Sequence, residues 1–173
     1  MRVFLFFFCL LTLLSGNSQS FQKVPLQIIV ADAPNDFNAF KGELSMALED
    51  DSFYASTVIV EGSKNNEITL HSGRRTQYHA YIADSATKKA AAKLVEEWRS
   101  KIKTASPGYV EEVIRSRVQK RTSNGYRFSK LMANGLCTIS VVCSKREIDN
   151  FYWVLLTVTR QGKAVAEEQE EKE

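Results

Sequence analysis

Helix and strand signals alternate in two blocks along this chain. They predict an α+β domain in which a helix followed by an antiparallel meander occurs twice, as helix-βββ-helix-ββββ, with the helices packed on one face of the sheet. Three observations carry the prediction: two apolar stripes at helical spacing, runs of β-branched and aromatic residues cut by turn residues, and two Asn-Gly pairs in the last third. The 173 residues, with 44% hydrophobic and 25% charged side chains, have ordinary globular composition, which excludes fibrous and low-complexity classes.

The elements follow in chain order. Met1 and Arg2 precede an apolar run over residues 3–14, and small residues Ser18 and Ser20 follow, so residues 1–20 read as a secretory signal peptide with Phe21 the first mature residue. The run is about a dozen residues, short of the roughly 20 that a membrane-spanning helix needs, and no second apolar run follows. The expectation is an exported protein, periplasmic or extracellular, with no transmembrane segment after cleavage. Leu26, Ile29, Ala33, Phe37 and Phe40 then mark one face of a first helix, with Pro34 a kink or break and Gly42 a C-terminal cap. Residues 53–60, 67–71 and 76–83 read as three strands of a meander. Ala91, Leu94, Trp98 and Ile102 mark the second helix, capped by Asp84 or Ser85 and closed by Pro107-Gly108.

In the last third, Asn124-Gly125 and Asn134-Gly135 both read as hairpin turns. A two-residue loop at Asn134-Gly135 sets Phe128 opposite Val141 and Lys130 opposite Ile139, and a further loop returns Val154, Leu156 and Val158 to the same side. A three-residue loop over Ser123 to Gly125 turns Ile114 and Val118 inward, although residues 109–120 also carry a helical face. Residues 21–162 thus read as a single α+β domain. The tail, 163–173, holds Glu167, Glu168, Glu170, Glu171 and Glu173 and reads as a disordered acidic segment, so the body is more basic than the formal +3 of the whole.

Cys137 and Cys143 lie six apart on one predicted strand, roughly 20 Å, which is beyond disulfide reach and points to buried thiols. The predicted β-hairpin sets His71 opposite Thr76, leaving His71 and His79 on opposite faces. Adjacent carboxylates at Asp50-Asp51 and Glu111-Glu112 diverge, and no phosphate loop or nucleophile elbow is present. No catalytic residue, metal site or cofactor is predicted.

One surface stands out. The predicted register gathers Arg115, Arg117, Arg121 and Arg127 on the outer face of the second meander, with Gln119, Ser129, Thr138 and Ser140 nearby and Phe151 and Trp153 toward the far strand. Guanidinium groups beside a flat aromatic suit an acidic glycan, a lipid headgroup or an unknown protein, and nucleic acid is the less natural target for an exported chain. The plainer alternative is a solvated strand face, and Leu131, Leu136, Val142 and Leu155 also project there. Arg74 and Arg75 read as a polar hairpin tip. The function read from sequence is therefore an exported, non-catalytic binding or interaction module. The alternatives are a hydrolase-like enzyme of unrecognised class with a site near His71 or His79, and an envelope chaperone or assembly factor.

Overall fold

Pro34 decides where the first helix ends. In the computed structural model Leu26–Asp32 (α1) is α-helical, and the chain then tightens into a 3-10 turn over Ala33–Asn35, because Pro34 has no N–H for the helical ladder. The predicted stripe survives this change of backbone: Leu26, Ile29, Ala33 and Phe37 are buried, and Phe40 packs against the core. Asp36 and Phe37 adopt the left-handed region at φ 57° and 55°. The Asp36 carboxylate accepts from Thr76 Oγ1 at 2.9 Å and Arg160 Nη1 at 3.1 Å, and the Phe37 ring lies 5.8 Å from that of Tyr78. The structure describes residues 21–72, 75–118 and 121–162, apart from the side chains of Arg117, Val118 and Arg121. The predicted signal segment 1–20 and acidic tail 163–173 lie outside the described residues.

Ahead of α1, β1 (Gln22–Val24) pairs in parallel with β4 (Val58–Val60) as a separate two-stranded ribbon. The other strands are β2 (Lys41–Ala47), β3 (Asp51–Ser56), β5 (Asn65–His71), β6 (Arg75–Ala86), β7 (Val110–Val118), β8 (Arg121–Met132), β9 (Gly135–Lys145) and β10 (Tyr152–Gly162). They form one 8-stranded sheet in the order β2-β3-β5-β6-β10-β9-β8-β7, every neighbouring pair antiparallel. The fold is therefore α+β with a large antiparallel sheet. The first block holds more strands than the predicted three: Gly42, read as a helix cap, lies inside β2, and residues 53–60 divide between β3 and β4.

The second helix, α2 (Lys88–Ala105), starts at Thr87, whose hydroxyl accepts from the Ala90 N–H; Asp84 and Ser85, the predicted caps, belong to β6. Its buried residues Ala91, Val95, Trp98 and Ile102 join Tyr78, Phe128, Ile139 and Leu156 in one core. Among the described residues no helix is long and apolar enough to cross a membrane.

Residues 110–118 form a strand, not a helix, and the register of its hairpin corrects the predicted turn. Val118 pairs with Arg121, and Asn124-Gly125 lies inside β8, away from the reversal. A Cβ on Gly125 would stand 2.0 Å from the Val141 carbonyl oxygen, so glycine serves the close approach of β9 there, not a reversal. The other pair does sit at a reversal. Met132 pairs with Gly135, which makes Ala133 and Asn134 the two turn residues. Phe128 consequently faces Ile139, and Lys130 faces Cys137, two residues from the predicted partners. A shift of two preserves the face. Phe128, Cys137, Ile139, Val141, Val154, Leu156 and Val158 are all buried, and Cys137 and Cys143 are free, buried thiols.

Candidate binding trough on the sheet

Successive side chains of a strand point to opposite faces, so the alternates of the buried set line the other face of the sheet. Gln77 pairs with Thr159, Thr159 with Thr138, and Thr138 with Ser129, giving one transverse row. The next row, two residues along, runs His79, Thr157, Ser140, Arg127, Glu112. Between them lies a trough of about 550 Å³, closed at one end by Arg75 and Leu136. Threonine and serine suit this position: their small side chains fit the pleat and keep it polar.

The hydroxyls fall into two groups. Thr157 Oγ1 lies 3.2 Å from His79 Nδ1, and Thr159 Oγ1 accepts from Gln77 Nε2 at 3.1 Å. Ser129, Thr138 and Ser140 make no side-chain hydrogen bond among the described residues. Arg127 Nη1 lies 4.0 Å from Glu112 Oε2, whereas Arg75 has no ion-pair partner among the described residues. Burial holds His79 below the ordinary histidine value, with Glu67 opposing the shift and His71 and Arg75 adding to it. Among the described residues that line the trough, two guanidiniums stand against one carboxylate.

The two histidines share this face, which corrects the predicted separation. His71 pairs with Arg75, not Thr76, and Glu67 with His79; the one-residue difference in register turns both rings to the same side. His71 bridges Asp51 Oδ1 through Nδ1 and Gln77 Oε1, 2.8 Å away, through Nε2. The result is a chain Asp51, His71, Gln77, Thr159 that crosses four strands and ends on the trough floor. A base needs a ring nitrogen free for its nucleophile. Here Gln77 occupies the second nitrogen, so the chain fixes the Gln77 amide and, through it, the Thr159 hydroxyl.

The predicted basic set divides. Arg127 lies on the trough. Trp153 shares its face, since Trp153 pairs with Ser144 and Arg127 with Ser140, but it stands four residues along β10 from Thr157, about 13 Å. There it is half-buried and borders a hollow of about 260 Å³ with Lys145, Arg146 and Ile148. Arg115 pairs with Asn124, three residues from Arg127, and so belongs to the opposite face, in a hollow of about 260 Å³ beside Glu96 and Tyr126. The side chains of Arg117 and Arg121 lie outside the described ones. Gly73 and Arg74 lie outside the described residues, and Arg75 is a strand residue at the end of the trough.

Around Arg115 the charges serve packing. Arg99 of α2 reaches Glu111 and lies 4.2 Å over the Tyr126 ring, Lys103 Nζ lies 2.7 Å from Glu111 Oε2, and Tyr126 donates to Glu96 at 2.6 Å. Lys103 and Arg99 hold the Glu111 carboxyl below its usual range. These bonds tie α2 to β7 and β8. The exposed apolar residues of β2 do not gather into a patch. Leu44 pairs with Tyr54 on the core side, and Met46 with Phe53 on the other.

Gln77, Thr157 and Thr159 escaped the sequence reading. Their one local signal is the period-2 alternation of polar and apolar residues, Gln77-Tyr78-His79 and Thr157-Val158-Thr159; what joins them is the pairing of β6 with β10, distant in sequence. Compared with known proteins, the chain matches no family model and no curated protein at a significant level.

Proposed function

We propose that the chain is an exported, non-catalytic binding module built from two helix-and-meander halves, whose helices cover one face of the sheet and leave the other for an anionic partner. The observation that carries this reading is the trough itself: Ser129, Thr138 and Ser140, whose hydroxyls have no partner among the described residues, lie between the guanidiniums of Arg127 and Arg75. Unpaired donors on a rigid sheet are pre-organised to take a ligand at small ordering cost. Export rests on the composition of residues 1–20. Of the arginines first grouped by sequence, Arg127 stays in the proposed site and Arg115 leaves it.

The test is retention of residues 21–173 on a carboxymethyl-dextran column over a salt gradient, beside Arg75→Ser/Arg127→Ser, with folding of both followed by circular dichroism. The reading predicts late elution of the wild type and early elution of the folded variant. Equal retention would overturn it.

A hydrolase-like reading draws on one observation, the His71–Asp51 pair beside the trough. It predicts turnover of ester or glycoside substrates that His71→Gln abolishes, whereas a binding module turns over neither.

A further inference from the structure

The chemistry of the trough narrows the ligand class, and this step rests on the reading of the trough as the binding face. Sulfate and fully ionised phosphate groups only accept hydrogen bonds, and a polyanion of high charge density calls for several cations. The trough offers something different. Its five hydroxyls on Ser129, Thr138, Ser140, Thr157 and Thr159 can each donate and accept. Beside them Arg127, a donor only, stands 4.0 Å from Glu112, an acceptor only. Such a pair can meet the two hydroxyls of a vicinal diol, one accepting and one donating. At the other end Arg75, with no ion-pair partner among the described residues, stands next to the Gln77 amide and the side chain of Leu136. Arg75 and Arg127 stand four residues apart along the strands and three strands across, about 19 Å between Cα atoms by ladder spacing. Among the described residues that line the trough, guanidiniums outnumber carboxylates two to one, which favours a carboxylate-bearing ligand.

We infer that the trough binds an acidic saccharide of the uronic-acid type, its carboxylate on Arg75, its ring hydroxyls on Ser129, Thr138 and Ser140, and a vicinal diol against Arg127 and Glu112. Leu136 offers an apolar edge to the C–H side of the ring. A volume of about 550 Å³ is within the range of small-ligand sites. The Asp51–His71–Gln77 chain holds Thr159 in place beneath the sugar, as a positioning element that does not itself touch the ligand.

The experiment is calorimetric titration of residues 21–173 with digalacturonate, with its methyl ester, and with tripolyphosphate as an anion that lacks hydroxyls. Thr138→Val removes a hydroxyl at constant shape, Ser129→Ala serves as a second hydroxyl deletion, and Arg75→Gln removes the charge. A hydrogen bond to a charged group is worth about 1.5–3 kcal/mol and a neutral one about 0.5–1.5 kcal/mol. The expected results are a loss of about 10-fold or more for the methyl ester and for Arg75→Gln, and of about 2–10-fold for Thr138→Val and Ser129→Ala. Tripolyphosphate binding should be weaker and indifferent to the hydroxyl deletions. If digalacturonate binds no better than tripolyphosphate and neither deletion matters, while Arg75→Gln weakens both, the saccharide inference falls and the anionic binding face stands. If no anion depends on Arg75 or Arg127, both fall.

Discussion

Replacing Gly125 by alanine tests the register on which every face assignment depends. The added Cβ would meet the Val141 carbonyl oxygen at 2.0 Å, Val142 Cα at 2.8 Å and Val141 C at 2.9 Å, all of them backbone atoms with no rotamer to change. Reaching ordinary contact, 3.4 Å or more, requires β8 and β9 to part by over an ångström at that point. Ladder bonds near 2.9 Å do not survive such a stretch. Losing one or two at about 1 kcal/mol each, with the strain of overpacking at about 1–3 kcal/mol, gives a destabilisation near 3 kcal/mol. For a domain of this size that lowers Tm by about 6–12 °C. Thermal melts and urea titrations of Gly125→Ala, with exposed Thr122→Ala as control, read it directly. A turn at Asn124-Gly125 instead predicts a cost of about 1 kcal/mol, that of alanine in a left-handed position. A Tm within about 2 °C of the wild type would refute the strand register.

Three further outcomes follow from the packing. Burial holds the folded-state pKa of His79 below the ordinary histidine value of about 6.5, so the unfolded chain takes up the proton first as pH falls. Its contribution to stability is complete above about 6.5 and is lost as pH drops through the folded value, so His79→Gln should flatten the decline in urea midpoint between about pH 7.5 and 5; parallel declines would contradict this. Glu111→Gln loses the carboxylate that Arg99 and Lys103 share, and should lower Tm in dilute buffer but much less in about 1 M salt, where the screening length is about 3 Å. Burial pushes the thiols of Cys137 and Cys143 up, so both should resist iodoacetamide in the native protein and react in denaturant, with no change of mass on reduction; a reducible cross-link would contradict the β9 geometry.

The core was legible wherever burial itself is periodic. The stripe from Leu26 to Phe37 marks buried positions even though the backbone changes from α-helix to 3-10 turn to left-handed residues along it, because the periodicity reports the face and not the hydrogen bonding. The alternation in β9 and β10 gave the buried set for the same reason. Glycine misled at Asn124-Gly125. A glycine is placed either for positive φ or for its missing side chain, and sequence does not distinguish the two uses. That one turn moved Arg115 to the wrong face. The histidines went astray through a single residue of register at the β5–β6 hairpin. The trough was half visible: Arg127, Ser129, Thr138 and Ser140 come from one local meander, whereas Gln77, Thr157 and Thr159 join them only through the non-local pairing of β6 with β10.

Amide chemical-shift mapping of 15N-labelled protein titrated with digalacturonate decides whether the partner sits on the face of Arg127 and Arg75 or on that of Arg115. Saturable shifts are expected at Arg75, Gln77, Arg127, Ser129, Thr138, Ser140 and Thr159, with Arg115, Glu96 and Tyr126 unmoved. Shifts gathered around Arg115 and α2, or none at all with any anion, would contradict binding on the face of Arg127 and Arg75.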